Sequence, residues 1–124
     1  MTVFTNTIEA QKAIACRQQD TAISLVFELA SEEPNSICTI ALAWLRKNAI
    51  DTITYLIKPP CDTFTSSRRI TAKTVKDCPP FDTVWDEDIL PLIGGSILAM
   101  YNAEEELHCI RASYEAHGKA FTFP

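Results

Sequence analysis

Residues 22–57 read AISLVFELASEEPNSICTIALAWLRKNAIDTITYLI, and this stretch decides the fold. From Ala22 to Ala30, Ile23, Leu25, Phe27 and Leu29 alternate with Ser24, Val26 and Glu28. Side chains point to opposite faces of a strand with period two, so the pattern predicts a strand with one buried face. Pro34-Asn35-Ser36 supplies turn residues. Ile37 to Arg46 is apolar almost throughout, as expected of a strand covered on both faces. Lys47-Asn48 is a tight connection into a third run, Ile50 to Ile57. Short links between successive strands predict an antiparallel meander.

Beyond the meander the periodicity changes. Pro59-Pro60 stops the third strand, and Cys61 to Arg69 reads as a polar loop. Thr71 to Asp77 suits one or two helical turns. Phe81, Val84, Trp85, Ile89 and Leu92 recur at helical spacing, and Gly94-Gly95 ends that helix. Ile97 to Met100 predicts a short strand. Asn102 is placed to cap a last helix running to His117, with Gly118 just past it. Residues 120–124 are strand-like in composition. On the N-terminal side, Thr5 to Gln18 reads as a helix that Asn6 or Thr7 would cap, so residues 1–20 form a helical extension and 21–124 the main domain. The order β-β-β-α-β-α predicts an α/β fold with a mixed sheet.

The whole chain, 124 residues with 47% apolar and 22% charged residues, is one globular domain's worth of material. Its formal net charge of −5 argues against a broad basic surface for nucleic acid, which needs clustered Lys and Arg. The five cysteines, Cys16, Cys38, Cys61, Cys78 and Cys109, include no CxxC pair, and His108 and His117 are the only histidines. That spacing does not make a zinc site and suggests reduced thiols in a cytoplasmic protein. No signal-peptide pattern or membrane-length apolar run is present, so no membrane association is expected.

Two carboxylate positions invite a functional reading. Glu28 lies in a strand otherwise apolar, where a carboxylate is costly unless it is paired, ligated or at a cleft. Glu104-Glu105-Glu106 opens the last helix, where acids favour the helix dipole. Helical angles place Ala103, Leu107, Ile110 and Tyr114 on the apolar stripe, Glu105 away from it and Glu106 on its margin. Glu32 and Glu33 belong to a solvated loop.

Taken together, these segments resemble the DnaQ-like 3′–5′ exonucleases, the superfamily of proofreading subunits and RNase T with a DEDD carboxylate set. Val26-Phe27-Glu28-Leu29, followed by Pro34-Asn35-Ser36-Ile37-Cys38, resembles the first motif, D-F-E-T with its P-N-S-I-C-like turn. Tyr55 to Pro60, Ile70-Thr71 with Val75-Lys76-Asp77-Cys78-Pro79, Phe81-Asp82 to Trp85, and Ala99 to Arg111 resemble later family segments in the same order. The resemblance implies an RNase H-like mixed sheet, incomplete at its C-terminus, and descent from an enzyme that cleaves phosphodiesters with two divalent metals held by four carboxylates.

At the decisive positions the chain departs from the family. Val26 stands where the first Asp belongs, Glu28 matches the family Glu, and Glu106 replaces the second-motif Asp. Tyr101 and Asn102 occupy the binding residues that precede it. Arg68-Arg69 stand where a histidine usually precedes Gly-Ile-Thr, and the motif carrying the general base and fourth carboxylate has no counterpart. Glu28 and Glu106 are then remnants able to hold at most one weakly bound Mg²⁺ or Mn²⁺, with no cofactor required. The implied function is a degenerate exonuclease-like domain related to replication and repair proofreading, without robust nuclease activity. It would bind a single-stranded nucleic-acid end, a replication or repair protein, or a second copy at an unpaired sheet edge. The rivals are an active exonuclease completed by a homodimer or another partner, and a pure protein-interaction module.

Overall fold

The computed structural model describes residues 2–4, 22–46, 48–65, 70–94 and 96–121. The expected helix at Thr5 to Gln18, Arg68-Arg69 and residues 122–124 lie outside them. The elements are β1 (Thr2–Phe4), β2 (Ile23–Leu29), β3 (Ile37–Arg46), β4 (Ala49–Leu56), α1 (Phe81–Val84), a π-helical turn (Trp85–Ile89), α2 (Leu90–Ile93), β5 (Leu98–Ala99) and α3 (Ala103–Glu115). The meander and the α-β-α sequence that follows it match the expected order. The chain is mixed α/β. Thr2–Phe4, within the stretch read as a helical extension, is a strand.

The sheet order is β1-β4-β3-β2-β5. β2, β3 and β4 pair antiparallel, while β1 joins β4 and β5 joins β2 in parallel. Register places Ile23, Trp44 and Asp51 in one row across the meander, then Leu25, Leu42 and Ile53, then Phe27, Ile40 and Tyr55. Those rows form the core face. Phe81, Val84, Trp85, Ile89, Leu92 and Ile93 pack on them, joined by Cys109 and Ile110 of α3. All five residues that the helical spacing singled out between 81 and 92 are buried.

This helical stretch is not uniform. Pro91 has no N–H for the carbonyl four residues back, and its ring crowds that carbonyl. The turn before it widens, and the Leu90 N–H donates to the Trp85 carbonyl in a π-helical bond. Gly94, with φ 52° and ψ −127°, then breaks the helix in a conformation that a side chain would strain.

Three local expectations need correction. Thr71 to Asp77 forms consecutive turns and no helix; Thr71 and Thr74 exchange side-chain to backbone hydrogen bonds at 3.3 Å instead. β3 is covered on both faces only in its first half. Its far end leaves Leu45 57% exposed, because no described helix lies over the second face. Phe121 forms no strand; it folds back against Trp85 and Tyr114, with ring centroids 5.7 and 5.6 Å away.

No helix among the described residues is long and apolar enough to cross a membrane. Cys38, Cys61, Cys78 and Cys109 are free thiols. The one-sided core makes a direct prediction. Trp85→Ala should destabilise the fold by about 3–5 kcal/mol, whereas Leu45→Ser on the other face should change stability by less than about 0.5 kcal/mol. Urea unfolding of the two variants measures both, and equal losses would contradict this layering.

Candidate functional site

The face opposite the helices carries a cavity of about 510 Å³. Register builds its floor in two rows: Val26 of β2, Ala41 of β3 and Thr54 of β4, then Glu28, Thr39 and Leu56. Phe27 and Ile70 complete the wall. Val26 and Glu28 share this face because they are two residues apart on a strand. The pairing of β2 with β3 slips immediately after Glu28, so that Leu29 faces Ile37 and Cys38 bulges. Such bulges bend a strand and re-aim its neighbouring side chains. The buried Cys38 thiol donates to the Glu28 carbonyl at 3.6 Å, fixing the backbone there. A bulge has no sequence signature here, and the apolar run concealed it.

The second predicted carboxylate, Glu106, lies in the first turn of α3. Glu106 accepts from the Asn102 N–H at 2.9 Å, while Asn102 Oδ1 accepts from the Glu105 N–H at 3.5 Å and Asn102 Nδ2 donates to Glu105 at 3.1 Å. This reciprocal exchange is the capping-box arrangement, reached here with a glutamate one residue further along. Asn102 is thus the predicted cap, and Glu106, half-buried on the margin as expected, closes it. Tyr101 is fully exposed. Glu104 and Glu105 border an open groove along α3 with Leu107, His108 and Arg111. Glu106 lines neither the sheet-face cavity that holds Glu28 nor the groove along α3. The buried face of α3 is also rotated from the expected stripe: Cys109, Ile110 and Ser113 are buried, while Ala103 is exposed at the helix start. Ser113 donates to the Pro34 carbonyl at 3.4 Å, tying α3 to the β2–β3 turn. Glu32 and Glu33 in that turn are exposed, as expected of a solvated loop.

Two further groupings escaped the sequence reading. A cavity of about 170 Å³ behind β4 is lined by Thr54, Tyr55, Leu56, Cys78, Pro79, Val84 and Asp88. Burial and then the Asp88 charge push the Tyr55 phenol well above its ordinary range. Burial, helped by Glu87, raises the Asp88 carboxyl as well.

The other grouping clamps the chain after α3. Lys119 Nζ lies 2.9 Å from Asp82 Oδ2 and 3.1 Å from Asp86 Oδ2, and the Tyr114 hydroxyl donates to Asp86 Oδ1 at 2.9 Å. His117 Nδ1 stands 3.8 Å from Asp82 Oδ1. Burial pushes the Asp82 carboxyl up, but the Lys119 ammonium, His117 and the Thr83 N–H outweigh it and hold the group below the usual range. These residues come from segments some thirty positions apart, so no local pattern announces them.

Chemically, the sheet-face cavity offers one carboxylate, two threonine hydroxyls and an apolar wall. Its size falls in the range of small-ligand sites, roughly 300–1,000 Å³. Among the described residues no three His, Cys, Asp or Glu side chains gather as a metal site would require. The described residues lining this cavity supply one carboxylate, too few for a two-metal centre. One ion beside Glu28 would take most of its roughly six oxygen ligands from water. Neither the family models nor the curated proteins compared with this chain contain a match.

Two outcomes test this assignment. Asn102→Ala should lower stability by about 1 kcal/mol, and Glu106→Gln by clearly less because the amide oxygen still accepts the same N–H. Urea titrations compare them, and a Glu106→Gln loss exceeding that of Asn102→Ala would contradict the capping role. For the clamp, Asp82 is depressed in the folded state. Its contribution is fully present above the unfolded carboxyl value of about 3.9 and is lost as pH falls through the lower folded value. Lys119→Met should therefore melt below wild type at neutral pH, with the gap narrowing under about pH 4. A gap that stays constant into strong acid would refute the pairing.

Proposed function

We propose that this chain is a DnaQ-like, RNase H-type domain that has lost robust nuclease activity and retains a binding role. The strand arrangement supports this reading: an antiparallel meander whose first strand, β2, takes the later strand β5 alongside it in parallel. So does the placement of Val26 and Glu28, the two positions matching the family's first motif, in one cavity wall.

The observation that carries the loss of activity is the charge in that wall. Glu28 is the sole carboxylate among the cavity's lining residues, and Val26 beside it has no atom able to ligate a cation. Two divalent ions bring four positive charges, which a single carboxylate does not balance. The second candidate ligand, Glu106, is engaged at the α3 cap. Without paired metals, neither an activated water nor stabilisation of a leaving alkoxide is supplied. The net charge of −5 and the apolar wall favour a protein partner over a nucleic-acid end.

Purified protein incubated with end-labelled single-stranded DNA in Mg²⁺ or Mn²⁺ should degrade it no faster than the Glu28→Gln variant does. Degradation that Glu28→Gln abolishes would overturn the proposal and favour a working exonuclease completed by a partner. A salt-sensitive gel shift without cleavage would instead move the binding role to nucleic acid.

A further inference from the structure

The exposed large hydrophobics among the described residues are Val26, Leu45, Ile50, Ile97 and Tyr101. Val26, Leu45 and Ile50 lie on the sheet face away from the helices. Ile97 and Tyr101 bracket β5, the last strand of the sheet. Ile97 is 73% exposed and Tyr101 fully so. Ala99, between them in the alternation, is exposed and pairs with Ser24, also exposed, on the helix-free face.

Among the described strands, β5 pairs with β2 alone, along one side. The Ile97 carbonyl accepts from the Ile23 N–H at 2.9 Å, so the backbone of residue 97 is turned toward β2. Along a strand, successive residues direct their N–H and C=O to opposite neighbours, so Leu98 turns its pair outward. No described strand lies beyond it. An outward donor and acceptor beside exposed apolar side chains form a template for strand addition.

Charge selects the occupant. The chain turns from Tyr101 into α3, whose first turn presents the exposed carboxylates of Glu104 and Glu105. From Ser96 to Ala103 there is no basic residue, and the one Lys or Arg on α3 is Arg111. A second copy of the chain, at net charge −5, offers the same edge without a cation for Glu104. A basic segment supplies one. We propose that the outer edge of β5 receives an extended segment of a protein partner that alternates apolar and basic residues. Its backbone pairs with Leu98, its apolar side chains lie on Ile97 and Tyr101, and its ammonium or guanidinium groups lie toward Glu104.

This inference goes beyond the exonuclease-like reading and does not rest on it, since that reading fails by Mn²⁺-dependent cleavage and this one by peptide binding. The probe is a short, fluorescently labelled peptide alternating valine and lysine, followed by anisotropy against the full chain. Binding should weaken at least about tenfold when alternate peptide amides are N-methylated on one edge, which removes strand pairing but keeps charge and composition. Tyr101→Ser and Ile97→Ser, both at exposed positions, should weaken it similarly, and Glu104→Gln should weaken it less and flatten its salt dependence. A glutamate-for-lysine peptide should not bind. Equal binding of the N-methylated peptide would overturn strand addition, and absence of binding at millimolar peptide would overturn the site altogether. Sedimentation as a dimer that Tyr101→Ser dissociates would assign the edge to a second copy and equally overturn the proposal.

Discussion

The packing of Phe81, Trp85 and Ile89 onto the Leu25–Leu42–Ile53 row is the contact on which the rest of the molecule depends. It buries the largest side chains of the domain against the central strands. Phe81 and Trp85 stack with centroids 5.7 Å apart, and Phe121 closes over Trp85 from the C-terminal side. Because a strand alternates its side chains, burying one face dictates what the other carries. Ser24, Val26 and Glu28 are turned away from the core by the same periodicity that buries Ile23 and Leu25. A slip of one residue in β2 would exchange the two sets.

The cavity on the opposite face is therefore a consequence of the core. Its position, its wall of alternating Val26 and Glu28, and its neighbours Thr39, Ala41, Thr54 and Leu56 follow from register alone. The bulge at Cys38 adds the one irregularity, beside Glu28. On the helical side, the acids that open α3 are absorbed by the Asn102 cap, and Lys119 binds Asp82 and Asp86 to hold the chain end across α1 and the π-helical turn. Glu105, Glu106, Asp82 and Asp86 are thus engaged in fold-building contacts, and Glu28 is the one carboxylate lining the sheet-face cavity.

The meander was legible because short apolar runs separated by Pro34-Asn35-Ser36 and Lys47-Asn48 admit few alternatives, and β3 begins and ends where the sequence places it. The helix after Pro80 was legible from five apolar positions, and the Asn102 cap from its residue type. What stayed hidden was non-local. The π-helical turn needed Pro91 to be weighed against its neighbours rather than absorbed into a helix. The pairing of β1 with β4 joins residues some fifty positions apart, and three residues carry too little pattern to announce a strand. Asp51 is fully buried on the core face in the row of Trp44, although its residue type argues for solvent. Val26 and Glu28 were read as site residues, and they share a cavity. Glu106, read as their companion, accepts the Asn102 N–H, a contact that its residue type alone does not announce.

On the proposed reading, the sheet-face cavity is an exonuclease-like cleft without the charge to hold two metals. Anomalous diffraction from crystals grown in millimolar Mn²⁺ tests it most directly. The account predicts no pair of ions beside Glu28, and at most one partly occupied site held mainly by water. Two Mn²⁺ peaks about 4 Å apart and bridged by Glu28 would contradict it.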